Sequence, residues 1–261
     1  MENIGPGVTK LLEELSVMSV NGHSVQVLGG PFVLTNYMFW LLVSFVVTLA
    51  FFIVASRKIS LVPKGIGNLA EMGVEFVRDG ICVDVMGPEG KKYFPFVATA
   101  FFFILFNNFI GLVPGAKPGT GTMGSTVTWA VMVFLLYNFV GFQKHGVWGY
   151  IKSFAPSGDV AWPLKIYVWV LEVISHLIRP LTLSVRLFAN MYAGHVTLGV
   201  FALFVVLLGE AAGAIKVLAV LPLALQIVMY AFEVFVAFIQ AYVFAILTAV
   251  YIGGAIHAGE H

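Results

Sequence analysis

Two stretches of this chain, Pro163 to Leu208 and Gly213 to Ile256, each run for about 45 residues with few charges, and only residues 209–212 separate them. At 1.5 Å per residue a straight helix of that length reaches roughly 65 Å, about twice the ~30 Å hydrocarbon core of a bilayer. Each stretch is therefore either two spans folded back on themselves or one long helix lying steeply tilted in the membrane. Neither holds an internal cluster of polar turn residues, which favours tilted helices paired as an antiparallel hairpin, with Pro180 and Pro222 acting as kinks. Composition points the same way. Hydrophobic residues make up 60% of the chain and charged residues 10%, and the mean hydropathy is +0.96, far outside the range of water-soluble domains.

Further apolar segments precede the long pair, and their length makes them helices rather than the short alternating strands of a barrel. Asn36 to Ala55 is expected to be one membrane helix, stopped by Arg57 and Lys58. Phe94 to Val113 is a second, closed by Pro114 and a Gly/Pro/Thr-rich turn, and Gly124 to Phe142 is a third. Between the first two, residues 65–85 interleave Leu69, Met72, Phe76 and Val77 with Glu71, Glu75, Arg78 and Asp79, the pattern of an amphipathic helix lying on the membrane surface. The fold class is thus an all-α polytopic membrane protein with about five membrane-embedded helices and one surface helix. Residues 1–34 form an outer segment and 257–261 a short tail.

Orientation follows from the cations of the connections. With the amino terminus outside, nine (Arg57, Lys58, Lys64, Arg78, Lys91, Lys92, Lys144, Lys152, Lys165) fall on the inner side and three (Lys10, Lys117, Lys216) on the outer, which puts the carboxyl terminus in the cytoplasm. Glu2, Glu13 and Glu14 stand where a cleaved leader would carry lysines, so none is expected. The lone cysteine, Cys82, reads as a small apolar residue. A net charge of +1 gives no reason to expect nucleic acid.

Within the first long stretch stands Arg186, a cation that is never deprotonated in a protein and that costs roughly 2.5–3.5 kcal/mol at the centre of a membrane helix. At 100° per residue Glu172, His176, Arg179, Arg186, Asn190 and Thr197 share an arc of about 80°. Gln226, Tyr230, Glu233, Gln240, Thr248 and Tyr251 share a similar arc on the second long helix, with Ala237 among them. Two helices with one polar stripe each can line a hydrated path. If Arg186 lies level with Gln240 in an antiparallel pair, His195 comes near Glu233, a combination suited to passing protons. On the wheel, however, His195 sits about 140° from the middle of its stripe, so the meeting needs local rotation or a bridging water.

The run Leu183-Ser184-Val185-Arg186-Leu187-Phe188-Ala189-Asn190-Met191-Tyr192-Ala193-Gly194 resembles the signature of subunit a of the bacterial F-type ATP synthases. Two further segments resemble that family, Ile239 to Tyr251 around Gln240 and Asn108-Phe109-Ile110-Gly111-Leu112-Val113-Pro114. The resemblance implies a proton-conducting stator subunit beside a rotating c-ring, with peripheral-stalk b subunits, the rest of the ATP synthase and the lipid bilayer as partners, in the bacterial plasma (inner) membrane. It implies that Arg186 faces the ring carboxylate, that Asn190 and Gln240 line the ion path, and that Glu172 lies near the cytoplasmic half-channel. Many bacterial relatives carry Glu where this chain has His195 and His where it has Glu233, so the pair is exchanged between helices. His176, Gln226, Tyr230 and Tyr251 are secondary candidates.

Other readings use the same residues differently. Asn107, Asn108, Gln226 and Tyr230 can serve as interhelical hydrogen bonders, and His145, His257, Glu260 and His261 read as solvated loop and tail rather than metal ligands, so no metal or cofactor is expected. The resemblance further implies that nucleotide chemistry lies on another chain and that this one is non-catalytic by itself, and no G-x-x-x-x-G-K-[ST] loop appears in it. A self-contained proton-coupled transporter would use similar charges, but with paired half-repeats that this sequence lacks. A structural membrane scaffold would leave the two polar stripes unexplained.

Overall fold

The computed structural model describes residues 25–26, 33–34, 36–57, 65–113, 115–155, 161–210 and 213–258. The expectations for Lys10, Lys58, Lys64, Glu260, His261 and most of the segment 1–34 fall outside these residues. Apart from turns and a small antiparallel ribbon that pairs β1 (Val25–Gln26) with β2 (Val33–Leu34), the described chain is helical. Its helices are α1 (Asn36–Ser56), α2 (Ile66–Val77), α3 (Gly90–Gly111), α4 (Met123–Ser153), α5 (Trp162–Gly209) and α6 (Val220–Ile256). Five helical stretches are long and apolar enough to cross a membrane, one of them running from Ile66 through the end of α3. The protein is an all-α polytopic membrane protein.

The centre of the bundle lies where α3, α4, α5 and α6 converge. Between helices in lipid there is little hydrophobic gain, because acyl chains are as apolar as leucine; close van der Waals approach and hydrogen bonds decide the packing instead. The sequence of α6 supplies the means. Ala237, Ala241, Ala245, Ala249 and Gly253 recur every four residues and are all buried, a flat ridge against which α3 lays Val97, Ala100, Phe101 and Ile104. At its far end Met86 packs on Gly253.

The remaining joints are local. α2 runs through a π-helical turn, Arg78–Val83, into a further turn, Asp84–Met86, and its exposed apolar residues Leu69, Met72 and Phe76 lie opposite buried Ala70 and Val77. Gly87, at φ 68°, then reverses the chain into α3, a conformation that glycine adopts without steric penalty. α4 continues past Phe142 to Ser153, bending at Gly146 (φ 70°), so that the ring of Tyr150 lies on Gly141, where any side chain would collide with it. His145 is consequently not a loop residue. It is half-buried on α4 with Nε2 2.9 Å from the carbonyl of Ile256, tying α4 to the end of α6. Pro222 is no mid-helix kink either; it occupies the first turn of α6, where a missing N–H breaks no helical hydrogen bond. Pro180 does lie inside α5, which continues through it.

Candidate functional site in the membrane

α5 and α6 pack against each other, and the polar residues expected to share one face of α5 divide by environment. His176 is buried at 5% exposure, its ring between those of Tyr137 and Phe154 at centroid distances of 4.9 and 5.0 Å. Its Nε2 lies 2.9 Å from Asn138 Oδ1. Because Asn138 Nδ2 donates to the Phe134 carbonyl at 2.7 Å, Oδ1 is the acceptor and the imidazole donates from Nε2. The buried Nδ1 is then left without a partner. One turn on, Arg179 Nη2 donates to Glu172 Oε1 at 2.7 Å, and the guanidinium sits over the Tyr251 ring, 5.7 Å from its centroid. Arg186, two turns further, is exposed, and no carboxylate among the described residues pairs with it. Asn190 is half-buried beyond it.

On α6, Glu233 is buried at 6% exposure, and its carboxyl group rests directly on Gly194. The residue next to Gly194 is His195, half-buried, with Nε2 enclosed and no hydrogen-bond partner. No hydrogen bond joins His195 to Glu233. Helix geometry gives the reason, since Gly194 lies on the polar side of α5 and the next residue is rotated from it by about 100°. Gln226 and Gln240 are half-buried, and Tyr230 Oη donates to the carbonyl of Leu112 at 3.0 Å.

Two contacts fix the register of the pair, Gly194 with Glu233 and Arg179 with Tyr251. Arg186 lies about midway between Arg179 and Gly194, so it faces the turn of α6 that follows Gln240. At 1.5 Å per residue, Glu172 lies about 21 Å from Arg186 along α5 in one direction and His195 about 13 Å in the other. The arrangement is a lone cation on an open face, flanked by an acid-containing cluster at each of two depths.

A sequence profile of the ATP synthase A chain matches residues 38–253, from the start of α1 almost to the end of α6. The chain belongs to the ATP synthase A chain family. Among its relatives, ATP synthase subunit a of Hyphomonas neptunium is 47% identical over 230 residues, covering 87% of this chain and 88% of that protein. The Acidiphilium cryptum subunit is 45% identical over 224 residues, 85% of this chain and 88% of its own length. That of Gluconobacter oxydans is 38% identical over 245 residues, 94% of this chain and 96% of its own.

In this family member Asn107 and Asn108 do structural work. Asn108 Nδ2 donates to the Ala237 carbonyl at 3.3 Å, and Thr120 Oγ1 donates to Asn108 Oδ1 at 2.8 Å. Asn107 Oδ1 accepts from Ser44 Oγ at 3.2 Å and from the Gly119 amide at 3.0 Å. Two adjacent amides thus link α1, α3, the turn before α4, and α6, immediately below Glu233. Thr126 and Ser184 add a hydroxyl contact of 3.1 Å between α4 and α5. Sequence reasoning passed over Gly194 and Ser184, although both belong to the signature run. The signal for Gly194 was its wheel position, which faces α6 more squarely than His195 does.

Proposed function

We propose that this chain is the proton-conducting stator subunit of the ATP synthase Fo sector, with no catalytic activity of its own. The observation that carries the reading is Arg186, a permanent cation on an exposed, membrane-embedded helix face with no carboxylate among the described residues to neutralise it. Such a cation is costly in hydrocarbon, so its counter-charge is supplied by another protein, the carboxylate of a c-ring helix. The open face suits such a partner. In the most apolar 18-residue window of α5 only 6% of residues are buried within the chain, against 56% in the corresponding window of the stretch from Ile66 to Gly111.

A proton enters from the outer side past Glu233 and His195 and neutralises a ring carboxylate, because only the neutral form crosses lipid cheaply. After rotation the carboxyl group reaches the cytoplasmic half-channel near Glu172, where Arg186 favours its ionised form and the proton leaves. Asn190 and Gln240 line the path at the level of the cation, and Arg186 repels protons that would otherwise pass directly between the half-channels. Each proton contributes about 2.3 kcal/mol per 100 mV, so several steps of rotation are needed per ATP. Lysine placement supports an amino terminus outside and a carboxyl terminus in the cytoplasm, and peripheral-stalk b subunits hold the chain against the turning ring. The test is ATP-driven proton uptake by inverted vesicles carrying Arg186→Ala at matched assembly. The proposal expects pumping to be lost with the complex intact; normal pumping would refute it.

A further inference from the structure

A cleft of about 590 Å³ opens between the start of α3 and the middle of α4. Glu89, Lys91, Lys92 and Tyr93 line one wall and Gln143 and Lys144 the other. Lys144 Nζ lies 3.0 Å from both carboxylate oxygens of Glu89, closing one end of the cleft. Lys91 and Lys92 are exposed, and Lys92 Nζ stands over the Tyr93 ring at 5.8 Å. Asp79, a carboxylate near Lys91, is itself engaged by Arg78 at 2.7 Å. Three lysines against Glu89 leave the cleft with an excess of positive charge.

Its surroundings are those of a membrane interface. Lys91 and Lys92 stand at the charged start of α3, and Gln143 and Lys144 follow the apolar run of α4, so the cleft marks where both helices turn from apolar to charged sequence. Gln143 continues down the outer face of α4, at intervals of four residues, into Phe139 and Leu135, which are 62% and 61% exposed. Trp148, 77% exposed, follows the bend at Gly146 in the same helix, and tryptophan settles at headgroup depth. A basic recess above a lipid-facing apolar track matches a molecule with an anionic head and acyl chains, and basic pockets between membrane helices are known to take such head groups.

We infer that this cleft is a binding site for one anionic phospholipid, whose phosphate sits between Lys91, Lys92 and Lys144 while its acyl chains run along Phe139 and Leu135. The Lys144–Glu89 pair fixes the far wall, and Gln143 offers an amide donor to the headgroup. Lysine placement in the connections assigns this lipid to the cytoplasmic leaflet.

Native mass spectrometry of the purified full-length chain, titrated with phosphatidylglycerol or phosphatidylcholine, tests the site. The unchanged chain is expected to retain phosphatidylglycerol at least tenfold more tightly. At about fivefold per lysine near a membrane surface, Lys91→Gln/Lys92→Gln should weaken that retention about 25-fold and leave phosphatidylcholine unaffected. Lys91→Arg/Lys92→Arg should restore it, separating charge from folding defects, and Lys152→Gln on the neighbouring surface should change nothing. Equal retention of the two lipids, or an unchanged affinity in the glutamine variant, would overturn the proposal. Displacement of the lipid by millimolar inorganic phosphate would instead assign the cleft to a free anion. Loss of the lipid when the chain is assembled into the whole synthase would mean that a partner subunit covers the cleft, which also refutes the lipid assignment.

Discussion

Gly194→Ala is the substitution that most directly asks whether Glu233 works from the position it occupies. A methyl group on Gly194 would overlap the carboxyl carbon and both oxygens of Glu233, whereas ordinary contact begins at 3.4–4 Å, so the carboxyl group must retreat by about 1 Å or more. What yields is the end of a flexible side chain rather than backbone. Its rotamer adjustment costs about 0.5–1.5 kcal/mol, and replacing a mid-helix glycine by alanine returns about 0.5–1 kcal/mol. Stability should therefore change by less than about 1 kcal/mol, and the complex should assemble. Proton hand-over is less tolerant, since a misplacement of about 1 Å can cost on the order of 100-fold in rate. Fluorescence quenching in inverted vesicles should show ATP-driven pumping reduced by one to two orders of magnitude while assembled complex stays at wild-type abundance. Adding Glu233→Asp shortens the acid by one methylene, clears the overlap and should recover part of the loss. Wild-type pumping by Gly194→Ala would refute the reasoning, as would a fall in pumping that merely tracks lost assembly.

Other consequences can be measured on the same preparations. Asn108→Ala leaves the buried Thr120 hydroxyl without its acceptor and cuts the tie to the Ala237 carbonyl, so it should cost about 1–3 kcal/mol, read from denaturation in mixed detergent; an unshifted midpoint would contradict the linking role. Gly141→Ala drives a methyl group into the Tyr150 ring, which is rigid, so a loss of about 1–3 kcal/mol is expected, and Tyr150→Leu in the same chain should relieve it. Glu172→Gln removes a half-exposed ion pair with Arg179, worth only about 0–1 kcal/mol to stability. Its main effect should be on proton release, seen as slower ATP synthesis in energised vesicles with an unchanged thermal midpoint.

Much of this protein was written in its sequence because hydrocarbon imposes severe demands that show in composition alone. Long apolar runs had to be helices, since each backbone amide needs a partner within its own segment, and a cation such as Arg186 could persist there only for a purpose. The small-residue ladder from Ala237 to Gly253 is equally plain in the sequence, at intervals of four. What a linear chain could not reveal was azimuth and long-range partnership. A helix that departs from 100° per residue by only a few degrees turns by a large fraction of a revolution over the 48 residues of α5. The wheel therefore placed the polar residues of α5 in one stripe, and packing alone separated them into buried His176, paired Arg179 and open Arg186. Packing likewise set Glu233 against Gly194 rather than His195. The bond from Asn108 to Ala237 spans 129 positions, and that from His145 to Ile256 spans 111. Side-chain chemistry specifies that such groups need partners, but which partner each one finds is decided only when the helices meet.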